Sequence, residues 1–211
     1  MGCKNSKVQH DPQVGNGKPV PTRKISSAAN DMERKVALVD GVVDKDPRSP
    51  LDSRQAFKVK QSWKGIKRNM EDTGVEMFLR LFKSNASLQT MFHGFKHLHS
   101  DDELRSNEAL EHHATLVMTT LDDAITHIDN FDYVSEVLRK TGASHVRFAG
   151  FTPENFWNMK EPFLEAVKIT LGDRYTDNME AIYRTTITFI LQTMSDGIQD
   201  ELNLLKLGTQ V

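Results

Sequence analysis

From Leu51 onward, apolar residues recur every three or four positions, the period of a helix with one buried face. Phe57 or Val59, then Trp63, Ile66 and Met70, form the first such stripe, and Asp52 or Ser53 stands where a helix cap belongs. After Gly74, the residues Val75, Phe78, Leu79 and Phe82 fall at i, i+3, i+4 and i+7. A polar break leads to Leu88, Met91, Phe92 and Phe95, and 93–107 reads as an irregular polar corner holding His93, His97 and His99. A longer stripe follows in Leu110, Val117, Leu121, Ala124 and Ile128, with His113 on the same side and His112 turned to solvent. The next segment predicts a short helix from Phe131 with Val134, Val137 and Leu138 inward. Gly142 tolerates a further turn carrying Ser144 and His145. Thr152-Pro153 opens another helix, lined by Phe156, Met159 and Phe163; Pro162 is expected to kink or break it, and Leu171-Gly172 ends it. The last helix begins near Asp177 and carries Ile182, Tyr183, Thr186, Ile190 and Leu191. No strand pattern of comparable length appears, so the fold class is all-α.

Before residue 51 the pattern lapses. Residues 8–50 hold five prolines and mixed polar residues, too little apolar surface to offset the entropy of ordering them. Met32, Val36 and Val39 would share one face of a short helix that is marginal alone. The organisation expected is a mostly disordered tail over 1–50, a folded domain over 51–198 and a C-terminal extension over 199–211.

Composition narrows the function classes. Charged residues make up 27% of the chain and the net charge is −2, so no basic excess points to nucleic acid. No run reaches the roughly eighteen apolar residues of a membrane span, and the N-terminus lacks a secretory core. The single cysteine, Cys3, excludes an intrachain disulfide and fits a reducing compartment. The first six residues add a different signal. Met1-Gly2-Cys3-Lys4-Asn5-Ser6 fits the N-myristoylation pattern at Gly2, with Cys3 beside it for palmitoylation. One myristoyl chain binds membranes only marginally, so the second acyl chain matters; Lys4, Lys7, Lys18, Arg23 and Lys24 would favour an anionic leaflet. The localisation expected is the cytoplasmic face of the plasma membrane. At the other end, Thr209 and the terminal Val211 have the form of a PDZ-domain ligand, a two-residue signal. Exposed leucines over 202–207 leave self-association open.

His113 and His145 are separated by a long helix, a connection and a short helix, room enough for both imidazoles to face one flat ligand, as a haem between two helices requires. Together with Trp63 in the first helix, Met91-Phe92 followed by Phe95, Val117 one turn after His113, and Ser144 before His145, this order of features resembles the globin family. The likeness is greatest to the neuroglobin type, and the acylatable N-terminus makes it most similar to the membrane-associated globin X lineage. The pattern departs from the family at Ala86, where a proline is common, and at Thr141 and Gly142, where leucine is common.

The resemblance implies an eight-helix, three-over-three haem pocket holding haem b. His145 would be the proximal iron ligand, with Ser144 fixing its tautomer. His113 would either donate a hydrogen bond to bound oxygen or ligate the iron itself, and the neuroglobin likeness favours the six-coordinate, bis-histidine state. Phe78, Phe92, Phe95, Val117 and Met159 would form the apolar wall. The implied ligands are O2, NO, CO or nitrite. The implied activity is redox chemistry at the bilayer: nitrite reduction, electron transfer or protection of lipids, each needing an external electron donor. Reversible oxygen storage and sensing toward a membrane partner are the competing readings.

Overall fold

The computed structural model describes residues 46–208. The lipidation positions Gly2 and Cys3, the short helix expected around Ala28 to Val39 and the terminal Thr209 to Val211 lie outside the described residues.

Helix α1 (Ser53–Lys67) is capped by Asp52, whose carboxylate accepts the Gln55 N–H at 2.7 Å while the Gln55 side chain accepts the Asp52 N–H at 3.0 Å. Its buried face is Ala56, Val59, Trp63 and Ile66; of the two expected starting positions Val59 points inward, and Phe57 is 63% exposed. Helix α2 (Met70–Ser84) buries Val75, Phe78, Leu79 and Phe82 as the i, i+3, i+4, i+7 pattern requires. The one-turn helix α3 (Ala86–Gln89) leads to a turn that seats Phe95 in the core.

The corner over 93–107 is less irregular than its polar composition implies. It contains a short helix, α4 (Asp101–Arg105), started by a capping box in which Ser100 Oγ accepts the Glu103 N–H and the Glu103 carboxylate accepts the Ser100 N–H. Helix α5 (Glu108–Thr126) is capped by Asn107 and buries Leu110, Ala114, Met118, Leu121, Ala124 and Ile125. Helix α6 (Phe131–Ala143) is capped by Asn130 and passes directly into a 310 turn, Ser144–Arg147, that carries His145.

The helix expected after Thr152 is two helices, α7 (Pro153–Trp157) and α8 (Lys160–Leu171), parted at Asn158 and Met159. Pro162 therefore sits in the first turn of α8, where its missing N–H costs no helical bond, and its ring would clash with the carbonyl four residues back at Asn158, where the helix is in fact broken. Gly172, at φ 55°, ends α8 in a conformation that glycine adopts without strain. Helix α9 (Asp177–Gly208) runs unbroken through residue 199 and packs mainly on α6. The described residues thus form nine α-helical segments around one core, with α5 against α2 and α1, and α8 against α2.

Two contacts fix the elements that frame the site. The indole of Trp63, 1% exposed, donates to Asp122 of α5 at 2.9 Å, and the other oxygen of Asp122 holds Lys67 at 2.8 Å. At the α6–α9 crossing the backbones meet through glycine. A Cβ on Gly142 would lie 2.0 Å from the Met194 carbonyl oxygen, and one on Gly197 would lie 2.2 Å from that of Arg139. The departure at Gly142 noted in the sequence is thus a packing requirement. Before Leu51, Arg48 pairs with Asp132 at 2.7 Å on the surface and stacks over Phe131.

Candidate functional site: two half-buried imidazoles among aromatic rings

His145 follows α6 without a break, which lets its ring reach back along the helix. Its Nδ1 lies 2.8 Å from the carbonyl oxygen of Thr141, one turn earlier. A carbonyl can only accept, so the proton is on Nδ1 and the lone pair is on Nε2. Ser144 does not hold the ring as expected. Its hydroxyl donates to the same Thr141 carbonyl at 2.7 Å, so one backbone oxygen receives both residues.

Around the His145 ring stand three phenylalanines: Phe156 at 4.8 Å and Phe151 at 4.9 Å between centroids, and Phe148 at 5.8 Å. Phe148 and Phe151 escape a reading by periodicity because they lie in the connection between helices. Their signal is the density of phenylalanine directly after the histidine. Burial pushes the His145 pKa below the usual imidazole range, and the Arg147 guanidinium pushes the same way, against the opposing effect of the Thr141 bond.

His113 comes from α5, half-buried, and packs edge-on against Phe78 at 5.2 Å and Phe92 at 5.1 Å. Phe92 stacks on Phe95 at 5.0 Å, and Phe82 touches Phe78, Phe92 and Phe95. Phe95 therefore supports the wall from one ring behind. Val117, one turn along α5 from His113, is half-buried against the core. Met159 sits at the α7–α8 junction, also packed on the core. His112 is exposed, as are His93, His97 and His99. The pKa of His113 is lowered to about 4, first by burial and then by repulsion from the His145 and His112 cations.

Both imidazoles are therefore neutral near pH 7, each set among aromatic rings, and a charge on His145 is felt at His113. A neutral imidazole with a free Nε2, its other nitrogen held by a carbonyl, is the donor that haem iron takes. The apolar rings suit a flat macrocycle. The residues present fit the group.

The comparisons agree. The globin family profile matches residues 75–194. Cytoglobin-1 of Oryzias latipes is 31% identical over 169 residues, covering 80% of this chain and 91% of that protein. The neuroglobin of Chaenocephalus aceratus is 27% identical over 147 residues, covering 70% of this chain and 92% of its own. Among solved structures, a hexacoordinated heme protein from an anhydrobiotic tardigrade, crystallised at pH 4, aligns with a TM-score of 0.71 and 35% identity, covering 73% of this chain and 99% of that one. The chain belongs to the globin family, is neuroglobin-like in kind, and takes haem iron as its cofactor.

Proposed function

We propose that this globin holds its haem iron between His145 and His113, in a six-coordinate state, and works at a membrane surface rather than as a free carrier. The observation that carries the coordination is the pair of neutral, half-buried imidazoles, one of them presenting Nε2 because Nδ1 is committed to the Thr141 carbonyl. When bound, haem supplies an iron centre that binds O2, NO or CO and exchanges electrons. The protein's part is to hold that centre from one side with His145, to close the other side with His113, and to keep water out with Phe78, Phe92, Phe151 and Phe156. The tardigrade neighbour, a hexacoordinated heme protein, favours the same state here.

With His113 closing that side, a gas would have to displace its side chain before binding, which suits electron exchange or nitrite reduction, fed by an external donor, better than bulk storage. The N-terminal pattern around Gly2 and Cys3, and its likeness to the globin X lineage, supports a lipid anchor on the cytoplasmic face of the plasma membrane. Confinement to a surface gains little for an oxygen store and much for a protein acting on membrane redox chemistry. The deciding experiment is an absorption spectrum of the deoxy ferrous protein. A low-spin six-coordinate spectrum is expected, converting to five-coordinate high-spin in His113→Leu. A five-coordinate spectrum in the wild type overturns the bis-histidine reading.

A further inference from the structure

We propose that Trp63, Tyr183 and Tyr175 form an electron relay between the imidazole site and the protein surface, with Asp122 taking and returning the indole proton of Trp63. The inference rests on the reading of this globin as a haem redox protein.

The relay begins beside the site. Met159, expected in the pocket wall, stands one turn before Phe163, whose N–H donates to the Met159 carbonyl at 2.9 Å, so the two side chains share a face of α8. Phe163 is buried and lies 6.4 Å from Trp63 of α1 and 6.2 Å from Tyr183 of α9, centroid to centroid. Trp63 and Tyr183 are 6.4 Å apart, and Tyr183 stacks on Tyr175 at 6.1 Å. Trp63 and Tyr183 are buried, whereas Tyr175, just after the turn Gly172–Arg174, is half-buried and reaches solvent. Phenylalanine resists oxidation, so the rings able to give up an electron are the indole and the two phenols.

The placement of acceptors for protons sets this cluster apart from ordinary aromatic packing. An indole or phenol that loses an electron becomes a strong acid, and the transfer stalls unless a base within hydrogen-bond reach takes the proton. The Trp63 N–H donates to a carboxylate, that of Asp122, at 2.9 Å. Asp122 also lines a surface cavity of about 410 Å³, shared with Lys67 and His127. Tyr183 is given a hydroxyl instead. Its O–H donates at 2.9 Å to Ser62 Oγ, which spends its own hydrogen on the Val59 carbonyl, and burial holds the phenolic proton in place. Tyr183 therefore passes an electron through its ring without becoming the resting place of the oxidation. Tyr175, at the edge, can release its proton to water.

The oxidant is a hydroperoxide, which takes two electrons and two protons to become an alcohol and water; bound haem supplies the one-electron chemistry. Each electron leaves Trp63 as its N–H proton moves to Asp122. An electron from Tyr175 then crosses Tyr183 to Trp63, the proton returns from Asp122, and the phenolic proton of Tyr175 goes to water. A thiol in solution restores Tyr175 with one electron and one proton, and two such thiols join as a disulfide for each hydroperoxide reduced.

The test uses the full-length ferric holoprotein, mixed with cumene hydroperoxide, rapidly frozen and read by electron paramagnetic resonance. Ring-deuterated tyrosine separates a phenoxyl from an indolyl radical, and thermal denaturation confirms the fold of each variant. The chain has three tyrosines, of which only Tyr133 lies outside the relay. The phenoxyl signal is expected to persist in Tyr133→Phe and to be lost in Tyr175→Phe, where a neutral indolyl replaces it. Adding Asp122→Asn to Tyr175→Phe removes the base, and the absorption spectrum should shift from the neutral indolyl to the protonated indole cation. A phenoxyl signal that Tyr133→Phe removes and Tyr175→Phe leaves overturns the relay while the redox reading stands. Hydroperoxide consumed with no protein radical formed does the same. An indolyl that stays neutral with Asp122→Asn overturns Asp122 as the base. A wild-type protein that consumes no hydroperoxide overturns the relay together with the redox reading.

Discussion

Gly142 and Gly197 lie at one crossing, each pressed against the main chain of the other's helix, so that a Cβ on either would stand only 2.0 Å or 2.2 Å from the facing carbonyl oxygen. No side chain can rotate away from such a contact, because what it meets is backbone. The crossing sets how closely α6, and with it His145, lies on α9.

Gly142→Ala is therefore expected to destabilise the protein although alanine is the better helix former. The helix gains about 0.5–1 kcal/mol, while overpacking costs about 1–3 kcal/mol or more. The melting temperature should fall by several degrees. Gly65→Ala is the control, since its Cβ would meet the ends of Arg174 and Leu171 at 3.3 Å, side chains that can shift. Equal melting temperatures for the two variants would contradict the backbone contact.

Asp122 serves the buried indole of Trp63 and the ammonium of Lys67, with the Thr126 hydroxyl a more distant third donor at 3.4 Å. Asp122→Ala leaves the indole N–H without its acceptor and is expected to cost about 1–3 kcal/mol. Asp122→Asn keeps an acceptor oxygen and should cost less. Urea denaturation of the two variants ranks them, and the reverse order would assign the role of Asp122 to Lys67 instead.

The haem-free protein should lose stability on mild acidification. His113 has its pKa lowered from 6.5 to about 4 in the fold. Between these values the unfolded chain binds the proton and the folded chain does not, so stability falls as pH drops from 6.5 toward 4 and levels off below. His145 acts in the same direction. Each tenfold loss of proton affinity on folding corresponds to about 1.4 kcal/mol, and solvent reaching the partly exposed ring reduces it, so His113 contributes a few kcal/mol at most, and His145 adds to it in the same sense. Urea midpoints measured across that window should slope less in His113→Leu; an unchanged slope would place the titration elsewhere.

Ser144→Ala should strengthen the hold on His145. Two hydrogens now share the Thr141 carbonyl, and removing the hydroxyl leaves it to Nδ1–H alone. In a His113→Leu background, the iron–histidine stretching frequency of the ferrous protein should rise. A decrease would mean that the hydroxyl steadies the carbonyl rather than competing for it.

Much of this is legible in the residues, and the remainder has physical reasons for being hidden. The stripes of α1, α2 and α5 can be read because burial on one face leaves a period of three to four. Helix α4 is announced by Ser100 and Glu103, whose capping box the polar composition of 93–107 masks. His113 and His145 stand out by type and order, but the acceptor of Nδ1 does not, since a main-chain carbonyl leaves no mark in a sequence. Phe148 and Phe151 share no period with any helix. The purpose of Gly142 depends on Met194, a residue on another helix. Pro162 indicates a break, and only the fold locates it at Asn158, one helical turn before the proline.

That the imidazole of His145 is aimed by the carbonyl of Thr141 has an evolutionary corollary. Every residue carries this carbonyl, so any side chain compatible with the helix can stand at 141 and leave the ring's bearing as it is. Substitutions can accumulate at this position without touching the iron's ligand, and the orientation of the site is inherited with the path of the helix itself.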